Sequence, residues 1–225
     1  MINNSHNENI MHNITIIFSM HLEIGKCNSN ELFSIIENEN PEIIFEEFDI
    51  DRINDEYYKN GHYKYQNGST VETFAVMNYL ERNKIVYIPV DTHDVTYFPG
   101  AMYKKISKAN EEYTELFKRN IILASEQGFP YLNSIECCDL MEKMHSIEVE
   151  VINKSNDKKL VEDYREWQLI TENRDNEMLK NIYNYSRNNN FNNAIFIIGA
   201  EHKKTILDKI KNNNDLTMNW QLLKF

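Results

Sequence analysis

An apolar run of strand length that stops at a glycine and gives way to a helical stripe leaves a chain few ways to fold, and Asn193 to Ile210 (NAIFIIGAEHKKTILDKI) is such a run. Ala194 to Ile198 is continuously apolar, as a strand covered on both faces must be, whereas Ile206, Leu207 and Ile210 recur with helical spacing. Strand followed by helix is the unit of a parallel sheet. Its connecting residues emerge at the carboxyl edge, where open α/β sheets form their ligand crevices. Glu201 and His202 occupy that connection. Ile14 to His21 (ITIIFSMH) repeats the arrangement near the start of the chain, with a His three residues past the last bulky position.

The other runs fit the same plan. Asn28 or Ser29 can cap a helix over Leu32 to Ile36, with Glu31 in the place of a capping box and Pro41 as its stop. Glu42 to Phe48 (EIIFEEF) is the next strand. Ser69 or Thr70 caps a helix to about Asn83, and Ile85 to Val90 forms a strand that stops at Asp91, Thr92, His93 and Asp94. From Phe98 to about Asn190 helical period dominates, with helices expected at Tyr103 to Gln127, Ser134 to about Ser146 and Asp157 to Arg187. One β-branched patch there, Ile147 to Ile152 (IEVEVI), can pair at a sheet edge. The alternating tail from Leu216 to Phe225 reads as a last strand, antiparallel at an edge. Residues 1–13 read as a loose end and residues 49–68 as a tyrosine-rich loop. The pattern predicts an α/β fold: a central mixed, mostly parallel sheet flanked by helices. It forms one domain over residues 1–225, with residues 99–190 as a helical insertion or cap before the C-terminal strand.

At 225 residues the chain can bury one sizeable core. Its net charge of −11 argues against nucleic acid and anionic membranes as partners, since both require a basic face. Three cysteines, two of them adjacent (Cys137 and Cys138), make no disulfide framework and suit a reducing compartment. No apolar run approaches the roughly 20 residues that a spanning helix requires. A cytoplasmic protein acting on a small-molecule or peptide substrate is expected.

The candidate chemistry lies at the strand ends: His21, Glu46, Glu47, Asp91, His93, Glu201 and His202. Glu46 and Glu47 are neighbours on a strand, and alternation sends them to opposite faces, so at most one is expected beside His21.

In their order along the chain these segments resemble the TraB/GumN and Tiki-like hydrolase superfamily, which also takes in haem-binding ChaN proteins and erythromycin esterases. Its hallmark is a pair of G-x-x-H segments, with an acidic motif and an Arg-bearing helix between them. Gly199-Ala200-Glu201-His202 matches the second segment, and Phe18-Ser19-Met20-His21 resembles the first, with Phe where the family has Gly. Pro41 to Arg52 (PEIIFEEFDIDR) is similar to the family's acidic stretch and assigns its carboxylate to Glu47. Thr171 to Met178 (TENRDNEM) is similar to the family's helix, with Arg174 as its arginine.

The resemblance implies a hydrolase of an amide (peptide) or ester bond. In a metalloprotease-like form His21, Glu47 and His202 would hold a divalent transition metal (Mn, Co or Zn) that activates water, with Glu201 or Glu46 as base or supporting residue. In an esterase-like form no cofactor is needed. His21 deprotonates water, Glu47 orients it, and Arg174 and His202 steady the tetrahedral intermediate. Asp91, His93 and Arg52 are candidate substrate contacts. The alternative is a protein that binds haem or a small molecule on this fold without turnover, a reading that Phe18 in the glycine position favours.

Overall fold

The structure, a computed structural model, describes residues 11–49, 70–92, 99–213 and 217–225. Within them lie strands β1 (His12–Ser19), β2 (Ile43–Asp49), β3 (Val86–Asp91), β4 (Asn193–Gly199) and β5 (Met218–Leu222). They form one sheet in the order β3-β2-β4-β1-β5, and every neighbouring pair is parallel. The sheet is thus wholly parallel and not mixed. β5 lies along β1 with Trp220 opposite Ile14, where an antiparallel edge strand is expected. The reason is helix α8 (Lys203–Lys211), which carries the chain back from the end of β4 so that β5 starts at the same edge as β1. The central place of β4 accounts for its sequence, since Ala194 to Gly199 are all buried between covered faces. Pro89, which cannot donate to a ladder, sits on β3 at the sheet's edge.

Local chemistry sets the helix ends. Helix α1 (Ser29–Glu39) starts at Asn28, whose side chain accepts from the Asn30 and Glu31 N–H groups, and ends at Asn40 in the left-handed region at φ 44°. Helix α2 (Val71–Arg82) starts at Thr70, whose hydroxyl accepts from the Thr73 N–H, and packs against α1. Between β3 and β4 follow α3 (Gly100–Ala109), α4 (Glu111–Gln127), the single turn α5 (Phe129–Leu132), α6 (Ile135–Lys154) and α7 (Lys158–Asn188). The single helix expected from Tyr103 to Gln127 is broken at Asn110. Its N–H closes α3 on the Ile106 carbonyl, and its side chain accepts from the Tyr113 N–H to cap α4. The IEVEVI patch is not a strand but part of α6. There Ile147 and Ile152 are buried among the insertion's helices, so tertiary packing overrides the local β preference.

Two apolar clusters result. One covers the sheet and includes Phe18, Phe45, Phe196, Met178 and Ile182; the other, with Met102, Ile106, Tyr113, Met144 and Tyr164, lies within the helical insertion. Helix α7 belongs to both. Its first turns pack Leu160 and Tyr164 into the insertion, and its later turns pack Met178, Leu179 and Ile182 on the sheet. The Asn181 side chain donates to the Val90 carbonyl at 2.9 Å, tying α7 to the end of β3. The residues just before that tie, Arg174 and Asp175, are therefore held at the carboxyl edge. No helix among the described residues is long and apolar enough to cross a membrane.

Candidate functional site

Because every strand runs the same way, the strand ends collect at one edge. Ser19 stands opposite Gly199, and Asp49 opposite Asp91. A cavity of about 340 Å³ opens there, with Ser19, His21, Glu46, Glu47, Glu72 and Arg174 in its wall.

Glu47 is the hub. Its Oε1 accepts from Arg174 Nη2 at 2.5 Å and lies 3.2 Å from His202 Nε2, while its Oε2 accepts from the Gly199 N–H at 2.7 Å. Arg174 also holds Asp91, with Nη2 2.7 Å from Oδ2 and Nε 3.2 Å from both oxygens. His202 Nδ1 lies 2.5 Å from Asp175 Oδ1. An imidazole with a carboxylate on each nitrogen donates from both and is an imidazolium. Burial pulls the His202 pKa down, but the charges and bonds of Glu47 and Asp175 outweigh it and push it up to about 10. Burial likewise pushes the Glu47 carboxyl up, yet His202, His21 and Arg174 hold it well below the usual carboxylate range. The whole network is nearly dry, with the side chains of Glu47, Asp91 and His202 at most 8% exposed and Asp175 fully covered.

His21 differs, for about half of its side chain (51%) is open to water. Its Nδ1 lies 3.3 Å from Glu72 Oε1, the same oxygen to which Ser19 Oγ donates at 2.5 Å. Burial on its inner side lowers the His21 pKa, but the Glu72 carboxylate, then Glu47 and Glu201, push it up to about 9. Burial opposes ionisation of Glu72, and the bonds from His21 and Ser19 hold its pKa below the ordinary value. With Nδ1 turned to Glu72, Nε2 looks across a 4.0 Å gap at Glu47 Oε2.

Gly199 forms the floor of that gap. Its backbone angles, φ −60° and ψ 140°, suit any residue, so no torsion requires a glycine here. Space does. A Cβ at this position would stand 3.2 Å from Glu47 Oε2 and 3.3 Å from His21 Nε2.

Glu46 accepts from the Tyr87 hydroxyl at 2.6 Å and is 3% exposed. Burial, against the pull of Tyr87, raises its pKa to about 7. Both Glu46 and Glu47 line the cavity, which corrects the expectation that alternation would separate them. The register of β2 with β3 shifts between Glu46 and Asp49, and the irregularity breaks the alternation.

The structure thus gathers His21, Glu46, Glu47, Asp91, Arg174 and His202 at one edge. Arg174 and His202 are turned to Glu47, and Asp91 serves as the second anchor of Arg174. Glu201 is exposed, and it is not part of the cavity wall. Arg52 and His93 lie outside the described residues. Glu72 and Asp175 are additions to the expected set. Asp175 had a legible signal, being a carboxylate on the buried stripe of Met178, Leu179 and Ile182. Glu72 had none, because an acid in a first helical turn is explained by the helix dipole alone.

Among the described residues, no group of three or more His, Cys, Asp or Glu side chains is disposed to hold a metal ion. His202 meets a carboxylate at each nitrogen, and Glu47 accepts on both oxygens, so this donor set suits an ion-pair network better than a metal centre.

No family model, curated protein or solved structure matches the chain. Fold and site therefore define the class: a parallel α/β protein with a helical insertion, carrying a buried carboxylate, guanidinium and imidazole network beside an open histidine.

Proposed function

We propose that the protein is a hydrolase of an ester or amide bond in which His21 moves the proton and Glu47 orients the attacking water. The observation that carries this reading is the gap kept open by Gly199. Its walls, His21 Nε2 and Glu47 Oε2, are 4.0 Å apart, and a water can sit at about 2.8 Å from both. Glu72 at Nδ1 fixes the tautomer in which neutral His21 presents a lone pair at Nε2. Water gives its proton to Nε2 as its oxygen bonds to the carbonyl carbon, and His21 then returns that proton to the leaving alcohol or amine. Glu47 stays ionised throughout, because Arg174, His202 and the Gly199 N–H all face it. In this scheme Arg174 and His202 position Glu47, and the imidazolium formed at His21 balances the charge that develops on the substrate. The likeness of Gly199 to His202 and of Thr171 to Met178 to the TraB and Tiki-like motifs supports the same reaction class.

The test is a panel of chromogenic esters and amides assayed in EDTA and after addition of Mn, Co or Zn. Turnover should withstand EDTA and be abolished in His21→Asn and Glu47→Gln variants that retain the native circular dichroism spectrum. Turnover that survives either substitution, or that requires added metal, refutes the scheme.

A further inference from the structure

Phe18 stands where the G-x-x-H pattern has glycine, so what surrounds it bears on the site. Ser19 turns to Glu72, and alternation along β1 sends the fully buried Phe18 ring to the opposite face. There the Lys203 ammonium lies 5.2 Å from the ring centroid, within reach of a cation–π contact. Lys203 follows His202 directly. Ring and ammonium thus join the segment that leads into one histidine to the segment that leaves the other.

Both partners are also held by one corner of the helical insertion, residues 125–134, where α4, α5 and α6 meet. Lys203, 4% exposed, donates to the Leu132 carbonyl at 3.3 Å and to the Ser134 carbonyl at 2.6 Å. Asn133, between them, brackets the Phe18 backbone: its Oδ1 accepts from the Phe18 N–H at 2.9 Å, and its Nδ2 donates to the Phe18 carbonyl at 3.0 Å. β5 pairs with β1 as far as Ile16, and beyond that point the Asn133 amide takes the place of a neighbouring strand. A third tie falls after His21. The Lys26 N–H donates to the Ser125 carbonyl at 2.8 Å, and Gly25, at φ 53°, lies so close that a Cβ would stand 2.2 Å from that oxygen. His21 therefore sits between anchors at Phe18 and Lys26, both on the same corner. Its half-open ring adds the contact to Glu72, so the backbone anchors decide where Nε2 stands opposite Glu47.

We infer that Asn133 and Lys203 are positioning residues of the site: from one corner of the insertion they set the backbone ahead of His21 and behind His202, and with it the gap between His21 and Glu47. Phe18 belongs to this device as the platform of the ammonium. The inference rests on the hydrolase reading for its kinetic consequence, though not for the placement of the rings.

That placement is read from the ring signals of isotope-labelled histidine in NMR spectra of the full chain, with His12, His21, His145 and His202 each assigned by substitution to Gln. Asn133→Asp keeps the acceptor and loses the donor at nearly constant shape; Lys203→Met keeps an apolar stem over Phe18 and loses the ammonium. Asn133→Asp should move the His21 signals beyond their line width, and Lys203→Met those of His202, while His12 at the start of β1 and His145 on α6 stay in place. Two variants are used so that a fold defect in one leaves the other informative. On the best substrate of the panel kcat should fall by up to about 100-fold with KM nearly unchanged, as when a reacting group is misplaced and substrate contacts are kept. Signals of His21 and His202 that stay in place in the folded variants would overturn the inference, because the corner would then not hold the rings. Signals that move only together with those of His12 and His145 would also overturn it, because the corner would then serve stability alone. A panel without turnover in the wild type removes the hydrolase reading and leaves the NMR result standing.

Discussion

Gly199→Ala adds one methyl group at the floor of the gap. Its Cβ would stand 3.2 Å from Glu47 Oε2 and 3.3 Å from His21 Nε2, a few tenths of an ångström inside ordinary van der Waals contact. Glu47 cannot retreat, since the Gly199 N–H, Arg174 and His202 all hold it. The half-exposed His21 ring yields instead, and the methyl takes the place of the attacking water. Activity on the best substrate of the panel should fall by about 100-fold or more, the scale on which a misplaced reacting group reduces rate. Stability should barely change. The backbone angles already suit alanine, and Gly→Ala at such a position gains about 0.4–1 kcal/mol through the unfolded chain, enough to offset one tight contact with a mobile ring. The assays are kcat/KM and thermal melting on the same preparation. A folded Gly199→Ala protein with undiminished kcat/KM would show that no reacting water occupies the gap.

Three further outcomes follow from the charge network. His21 works as a base only when deprotonated, so kcat/KM should rise with pH through about 9; Glu72→Gln removes the main group that raises that pKa and should move the limb to lower pH, and an unmoved limb would refute the pairing. Arg174→Met leaves Glu47 and Asp91 buried without their cation and should cost about 3–5 kcal/mol in urea denaturation, whereas a loss below about 1 kcal/mol would mean that the pairs are solvated. The folded pKa of His202, about 10, lies above its ordinary 6.5, so its stabilisation is full below pH 6.5 and is lost as pH rises through 10; wild type should therefore lose more stability between pH 7 and 10 than His202→Gln, and equal losses would refute the assignment.

The strands and their shared edge were legible because a buried parallel strand is written as an unbroken apolar run, and the four runs that stop at Ser19, Glu46, Asp91 and Gly199 did become strands. The direction of β5 was not legible. Alternation reports one exposed face, but direction depends on which edge the preceding helix delivers the chain to. The α3/α4 break turned on Asn110, which reads as one more polar residue on a helical surface until its N–H and side chain are seen to serve different helices. Within the site, His21, Glu47, Arg174 and His202 were found through strand ends and motif likeness. The partners that set their charge were harder to see. Glu72 comes from a helix two elements away from His21 and belongs to no pattern shared with it.

Arg174 and Asp175 show why the insertion matters to the chemistry. Consecutive residues of a helix project about 100° apart, so one turn of α7 can send a guanidinium to Glu47 and Asp91 and a carboxylate to His202. Both contacts converge on Glu47, one directly and one through the imidazole. A shift of α7 by a fraction of a turn would break both together, leaving Glu47 without its guanidinium and His202 without its second carboxylate. The Asn181 bond to the Val90 carbonyl and the packing of Met178 and Ile182 on the sheet fix that register from below, and Leu160 and Tyr164 fix it from the insertion's own core. Glu47 is thus ordered by packing at both ends of a 31-residue helix. Substitutions in the insertion's core, far from any reacting atom, should therefore reduce kcat before they unfold the sheet.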